Sequence, residues 1–150
     1  MVELLVTVVI LGVIAAIAVP IFMNQKAKAY LAIEQSNTDD LRTVIGTVTL
    51  GHAGQAFPAT GAALKTLIEN EGFRVGAGNA IDLYPNCAMP AGTPVVSTGN
   101  YVIRGFRNAG ANWTSYPYYV YDSSTGNRDA AGFSTIASSV CSPTVVQWRG

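Results

Sequence analysis

The stretch MVELLVTVVILGVIAAIAVPIFM, at positions 1 to 23, decides how the rest of the chain is arranged. Glu3 is its only charged residue, and the next charges are Lys26 and Lys28. An uncharged apolar run of about 20 residues can cross the hydrocarbon core of a bilayer as a helix. A helix is the expected form because lipid offers no partners for backbone N–H and C=O groups. The two lysines then mark the expected membrane–water boundary.

Glu3 needs an explanation, because a carboxylate at the edge of an apolar segment is costly to bury and is normally paired. No basic residue lies within reach of Glu3 in the same helix. Its natural partner is a cation outside the helix, either the chain's own α-amino group or that of another copy. The alternative is that Glu3 simply lies in the headgroup region. The residues alone leave both interpretations open.

The stretch resembles the N-terminus of the type IV pilins. Gly12 lies nine residues after Glu3 and Pro20 seventeen residues after it, as in that family. A carboxylate, a glycine and a proline at fixed places in one apolar helix rarely coincide by chance. The remaining matches are Glu3-Leu4-Leu5, the Ala15-Ala16-Ile17-Ala18 run, and Ile21-Phe22 after the proline. The close match covers residues 1 to 25, and a looser match in element order and cysteine placement covers the rest.

One feature departs from the family pattern. Family members carry the glutamate as the fifth residue of the mature chain, whereas here it is third. Two residues are therefore expected to be missing before Met1, and a Lys/Arg-rich leader ending in Gly is expected to have been removed. The stretch also lacks the basic region and the A-x-A site of an ordinary secretory signal peptide.

The resemblance implies a structural subunit of an extracellular pilus filament, not an enzyme. It implies a chain anchored in the cytoplasmic membrane by its first helix, until an assembly machinery moves it into a helical homopolymer. Glu3, Gly12 and Pro20 are the predicted assembly residues. Glu3 is expected to meet the N-terminal amine of an adjacent subunit, and the helix is expected to lose order between Gly12 and Pro20 in the filament. The sequence leaves open whether such a filament serves motility, adhesion or DNA uptake.

The composition fits a membrane-anchored extracellular protein. The chain has 150 residues, which suits one domain, and nine basic residues balance nine acidic ones. Only 12% of its residues are charged, against about a quarter in typical globular domains. A neutral chain of this kind has no electrostatic footprint for nucleic acid.

Two cysteines, Cys87 and Cys141, are far apart and do not form a C-x-x-C motif, which disfavours a metal or thioredoxin-type site. In an extracytoplasmic protein the simplest interpretation is one disulfide, and the alternative is two buried free thiols. Closing a loop of about 55 residues would restrict the unfolded chain by about 4 kcal/mol. As in many pilins, the bond would tie the C-terminal region to the connecting region.

The helix is expected to continue beyond the apolar run, because positions 24 to 50 contain no proline and one glycine, Gly46. Apolar residues recur there at spacings of three and four, which predicts one apolar face, and Glu34 is assigned to the polar remainder. The predicted helix therefore covers 1–51, with an apolar part at 1–25 and an amphipathic part at 26–51, about 75 Å in all. The predicted face consists of Tyr30, Ile33, Leu41, Val44, Ile45 and Val48.

Residues 52–150 are predicted to form a globular head. Its first part, 52–100, is predicted to be a connecting region with a short helix at 62–71 and irregular chain at 84–98. Its second part, 101–150, changes to a period of two, which favours an antiparallel meander. The predicted strands are 101–107, 116–121, 132–136 and 145–148. A sheet with one apolar face would cover the helix face, so the predicted fold is α+β, a long helix on a small antiparallel sheet.

The search for chemistry gives no enzymatic site and no cofactor. His52 is the only histidine and is interpreted as a helix-end residue. Asp122 to Asp129 loosely resembles a calcium loop, but its final bidentate glutamate is absent, and no metal site is predicted. Asn112 begins a glycosylation sequon, a pattern that is common by chance.

Two other functions stay open. The same N-terminus occurs in the pseudopilins of type II secretion systems, which form a short periplasmic piston and often bind calcium in this part of the chain. The third interpretation is a membrane-tethered binding protein that never polymerises. The disulfide favours the pilin, whereas calcium dependence and a lack of surface filaments would favour the pseudopilin.

Overall fold

The computed structural model describes residues 2–51, 61–89, 95–107, 118–126, 128–129 and 145–150. It contains two helices, α1 (Val2–Gly51) and α2 (Gly61–Asn70). The strands are β1 (Asn79–Ala88), β2 (Val95–Arg107), β3 (Tyr119–Asp122), β4 (Arg128–Asp129) and β5 (Val146–Arg149). The predicted α+β fold, with a long N-terminal helix on a small antiparallel sheet, is confirmed.

Helix α1 is continuous over 50 residues and passes through Gly12 and Pro20 without a break. A single proline removes one hydrogen bond, here the one to the carbonyl of Ala16, and the uninterrupted bonds on either side keep the chain helical. The helix is therefore as long as the sequence predicts. Its order inside a polymer stays a separate prediction.

The buried face of α1 differs from the predicted one towards its N-terminal end, where Glu34 and Thr38 are buried in place of Tyr30 and Ile33. Ile33, predicted to face the core, is 43% exposed, whereas Glu34, predicted to be solvated, is 1% exposed. The spacing of four, three, four and three is helical, but the contacting stripe is shifted by one residue at its N-terminal end. Hydrophobicity predicts that a face exists, and the position of the sheet decides which residues form it. The buried residues of this face are Glu34, Thr38, Leu41, Ile45 and Val48.

The sheet has five antiparallel strands in the order β4-β3-β2-β1-β5. Strands β1 to β4 form a meander, since each pairs with the next along the chain. Strand β5 returns to the opposite edge and pairs with β1, where Ile81 faces Trp148. The C-terminus thus completes the sheet beside its first strand.

Strand β1 corrects the prediction for residues 84–98, and β2 begins at Val95, before the predicted start at 101. The prediction of irregular chain rested on Pro85, Pro90 and Pro94 with Gly92, since proline usually breaks a strand. Ile81 and Leu83 are fully buried on one face of the strand, and their burial outweighs the local preference. The register shifts between Pro85 and Cys87, where Asn86 adopts a positive φ of 54°. Such an irregularity is where a sheet tolerates proline.

The other predicted strands have mixed outcomes. The prediction for 145–148 is confirmed by β5, and that for 116–121 overlaps β3, which begins at Tyr119. The predicted strand at 132–136 lies outside the described residues. The short helix is confirmed as α2, and Gly72 after it has a φ of 90°, the left-handed conformation of a helix C-terminal glycine.

The main core lies between the sheet and the two helices. Phe73 and Trp148 meet there edge to face, with ring centroids 5.4 Å apart. A second apolar cluster, on the other face of the sheet, includes Tyr84, Met89 and Val120. The main cluster consists of Leu41, Ile45, Val48, Leu64, Ile68, Phe73, Ile81, Leu83, Ile103, Tyr121, Val146 and Trp148.

Candidate functional site

The first half of α1 has no contact with the core of the head. Its large apolar side chains between Val2 and Met23 are 48 to 76% exposed. It holds the candidate membrane span, whose most apolar 18-residue window has a mean hydropathy of 3.0 and is 0% buried. By length and composition α1 is able to cross a membrane. We call residues 2–25 the apolar segment.

The three predicted assembly residues all lie on the apolar segment and are exposed. They are not brought together, because Gly12 and Pro20 lie about 13 and 25 Å along the helix from Glu3 at 1.5 Å per residue. The hydroxyl of Thr7 donates to the carbonyl of Glu3 over 2.8 Å, a bond within the helix that does not involve the carboxylate. A Cβ added to Gly12 would meet nothing within 4 Å. Packing within the chain therefore gives no reason for a glycine at this position.

A polar contact lies where the second half of α1 crosses β2. Gly105 of β2 lies against α1 so closely that an added Cβ would be 2.9 Å from the Thr38 hydroxyl and 3.1 Å from the Glu34 carbonyl. The absence of a side chain at Gly105 therefore allows the helix and the strand to approach. We call Glu34, Thr38 and Gly105 the polar seam.

The carboxylate of Glu34 is buried in the polar seam without hydrogen bonds. Neither of its oxygens has a hydrogen-bond partner among the residues that the structure describes. Burial disfavours the charged form and raises the pKa of Glu34 to about 7, although the positive charge of Arg107 acts in the opposite direction. Glu34 is therefore a proton-binding group near neutral pH.

A cluster of cations and one aromatic ring lies just beyond the apolar segment. The guanidinium carbon of Arg107, at the end of β2, lies 3.9 Å from the centroid of the Tyr30 ring. The ammonium of Lys26 lies 5.9 Å from the same centroid. Through its cation–π contact with Arg107, Tyr30 therefore joins the C-terminal end of β2 to α1.

The face of the sheet opposite α1 carries a buried ion cluster across three strands. Asp82 of β1 is 1% exposed, accepts a hydrogen bond from Arg104 of β2 over 2.5 Å, and forms a salt bridge with Arg149 of β5 at 2.8 Å. Arg149 also lies over the ring of Phe106, with its guanidinium carbon 5.2 Å from the centroid. This cluster holds β5 to the meander, and we interpret it as structural.

The segment that begins at Asp122, which loosely resembles a calcium loop in sequence, uses this carboxylate as a hydrogen-bond acceptor. Its oxygens accept from the Met89 amide at 3.0 Å and from the Ser124 amide and hydroxyl, both at 2.9 Å. Thr125 also donates to it, over 3.2 Å. These donors make Asp122 the first residue of a side-chain-stabilised turn. Among the residues whose side chains are described, no group of three His, Cys, Asp or Glu could hold a metal ion. The side chain of Asp129 lies outside that set.

Cys87 is fully buried and is not a free thiol. Cys141, His52 and Asn112 lie outside the described residues. The pairing of Cys87 with Cys141 therefore stays a prediction.

Comparison with protein-family models, with curated proteins and with solved structures gives no match to this chain.

Sequence reasoning missed the polar seam and the contact of Tyr30 with Arg107. One signal was present, because Lys26, Tyr30, Glu34 and Thr38 follow one another at intervals of four and so share one face of a helix. That face continues directly into Leu41 and Ile45. The partners Gly105 and Arg107 are about 70 residues away, and only the folded sheet brings them to the helix.

Proposed function

We propose that this protein is a structural subunit of an extracellular filament of the type IV pilus kind. The apolar segment anchors the subunit in the cytoplasmic membrane and then forms the core of the filament. The head lies outside that core. The chain polymerises with itself and needs an assembly machinery, because it carries no nucleotide-binding motif of its own.

The observation that carries this proposal is the separation of the chain into two parts. The head is packed against the second half of α1, whereas the side chains of the apolar segment are exposed along its length. A contiguous apolar surface of this size marks a membrane or protein interaction site. A helix of the same length that served only as a linker would have no reason to be apolar.

Energetics require that another partner always covers the apolar segment. Burying about 1,500 Å² of apolar surface contributes tens of kcal/mol, before entropy costs, at about 25 cal/mol per Å². Lipid and a bundle of neighbouring helices both supply this gain, so the difference between the two environments is small. Transfer from one to the other must therefore be driven by the assembly machinery.

Glu3 is proposed to set the register of each incoming subunit. An unpaired carboxylate in an apolar core costs several kcal/mol or takes up a proton. Lys26 lies about 34 Å further along the helix, too far to reach. The N-terminal amine of a neighbouring subunit is at the right depth, and a subunit out of register would leave both charges unmatched.

The test is the Glu3→Ala variant in cells that carry the full-length gene, with electron microscopy of sheared cell surfaces. We expect normal membrane insertion, a normal head and few or no filaments. The matched control is Glu69→Ala, which removes a half-buried carboxylate from α2 and should leave filament yield unchanged. Wild-type filament yield from Glu3→Ala cells would end this role for Glu3.

The same micrographs separate the alternatives. A pseudopilin would give no long surface filaments at native expression, and a tethered binding protein would give none at any expression level. Either result, with the wild-type chain in the membrane, would overturn the proposed pilus subunit.

A further inference from the structure

The boundary between the apolar segment and the head carries three cations. Lys26 and Lys28 follow the segment directly, and Arg107 of β2 contacts the ring of Tyr30, which Lys26 also contacts. We call Lys26, Lys28, Tyr30 and Arg107 the basic collar. Its first lysine is exposed, and Arg107 is half-buried.

Acidic side chains do not neutralise the basic collar on its membrane side. From residue 4 to residue 33 the chain contains no Asp or Glu. No carboxylate of the described residues forms a salt bridge with Lys26 or Lys28. Glu34 lies on the side of the head, and its burial raises its pKa to about 7, so it offsets Arg107 only in part. Among the described residues, the unpaired Lys26 and Lys28 therefore make the membrane side of the collar positive.

The depth of the basic collar matches the headgroup layer of a membrane. If Leu4 to Met23 fill the hydrocarbon core of about 30 Å, the backbones of Lys26 and Tyr30 lie about 5 and 10 Å beyond it. Side chains of a helix tilt towards its N-terminus, which here is the direction of the bilayer. Long basic side chains and tyrosine favour this layer, where an apolar body and a polar tip are both satisfied.

We propose that the basic collar binds the phosphate of an anionic membrane lipid in the leaflet on the side of the head. The lipid headgroup would lie against Lys26 and Arg107, and Tyr30 would hold the two cations at one height. The contact fixes the depth of the helix and the position of the head above the membrane. This inference rests on the membrane stage of the proposed function.

The experiment compares two lipids on the full chain in detergent micelles. Phosphatidylglycerol and phosphatidylcholine with the same acyl chains are titrated, and the affinity of each is measured by native mass spectrometry. We expect wild type to prefer phosphatidylglycerol. The double variant Lys26→Gln/Arg107→Gln should lose at least about fivefold in phosphatidylglycerol affinity, since each cation near a lipid surface contributes a comparable factor. Its phosphatidylcholine affinity should not change.

The matched control is Lys65→Gln/Arg74→Gln, which removes the half-buried Lys65 and the exposed Arg74 from the head with the same change in net charge. It should keep the wild-type preference. The single variant Lys26→Gln, at an exposed helix position that cannot disturb the sheet, should lose part of it.

Two results would overturn the proposal. One is a wild-type chain without preference for the anionic lipid, which would leave the collar as a contact between subunits. The other is an equal loss in the control, which would show a net-charge effect only. Filament yield, scored separately in cells, distinguishes the two proposals. Filaments without a lipid preference contradict the collar alone, and a lipid preference without filaments contradicts the pilus subunit alone.

Discussion

Glu34 is a carboxylate whose folded environment favours the protonated form. The folded chain holds this proton up to about pH 7, whereas the unfolded chain releases it near the ordinary pKa of 4.5. Between those two values the folded state binds more protons, so this group lowers the free energy of unfolding as the pH rises. Above about pH 7 this loss of unfolding free energy is complete. It amounts to at most about 3 kcal/mol, at 1.36 kcal/mol per pKa unit.

The Glu34→Gln variant should therefore be more stable than wild type at pH 8, by about 2 kcal/mol, and nearly equal to it at pH 4.5. Glutamine keeps the shape of the side chain and cannot ionise. Urea unfolding of the full chain in detergent, at both pH values, measures the difference. Glu69→Gln, in a partly exposed pair with Lys65, is the matched control and should show no comparable pH dependence. The account would be contradicted if the free energy of unfolding fell between pH 4.5 and pH 8 by the same amount in Glu34→Gln and in wild type.

Gly105 is the second residue on which the polar seam depends. In Gly105→Ala the new Cβ would lie 3.1 Å from the backbone carbonyl of Glu34, which cannot move alone, so the helix and the strand must separate. We expect a loss of about 1 to 3 kcal/mol in unfolding free energy, as for other overpacked sites. The control is Gly46→Ala in α1, where an added Cβ meets nothing within 4 Å and should stabilise the helix by up to about 1 kcal/mol. If urea unfolding showed that both variants gain, or both lose, unfolding free energy relative to wild type, the close-approach explanation would be refuted.

At the scale of the element, α1 is one continuous helix whose two halves are stabilised by different surroundings. Residues 34 to 48 are held by the sheet, whereas the segment between Gly12 and Pro20 depends on its own hydrogen bonds and on whatever surrounds it. This segment is the weakest part of the helix for two reasons. Val13, Ile14 and Ile17 are β-branched, which lowers helix propensity, and Pro20 has no backbone N–H to donate a hydrogen bond. It is continuous in the single chain.

We predict that helical order between Gly12 and Pro20 is lost or strongly disturbed in the assembled filament. The freed carbonyls and amides must then find other partners or lie in locally extended chain. A filament map at a resolution that shows the backbone provides the measurement. Residues 34 to 48 in the same map serve as the internal control and should stay helical. An unbroken helix through residues 12 to 20 would rule the prediction out.

At the scale of the whole molecule, the head should fold without the apolar segment. The large apolar side chains of residues 2–23 are exposed, and the most apolar window contributes no buried surface. A chain that begins at Lys26 keeps the main core, α2 and every described strand. We expect it to be water-soluble, with a thermal midpoint within a few degrees of the full chain in detergent.

Circular dichroism and backbone NMR of this shortened chain are the measurements. A second shortened chain that begins at Ser36, and so lacks Tyr30 and Glu34, is the comparison. It should lose the contact with Arg107 and melt at a lower temperature. A chain beginning at Lys26 that fails to fold would show that the apolar segment stabilises the head in a way that the structure does not contain.

Some features of this fold could be predicted because their causes are local. The apolar run at 1–23 predicts an exposed or lipid-covered helix whatever the rest of the chain does, since nothing of comparable apolar length exists elsewhere to cover it. Helix α2 was also predictable, because its two ends are marked by turn residues and by Gly72. The assembly residues Glu3, Gly12 and Pro20 follow from spacing and resemblance, and their roles stay predictions.

The sequence by itself therefore determined the long helix, its division into an apolar and an amphipathic half, and the α+β class. Only the tertiary structure decided that NAIDLYPNCA is the strand between β2 and β5, and that Glu34 lies in the core interface while Ile33 does not. The physical reason is that helix formation and hydrophobic length act between near neighbours in the chain. Strand pairing and the burial of one particular helix stripe depend on partners about 70 residues away, whose position is fixed only when the sheet closes over the helix.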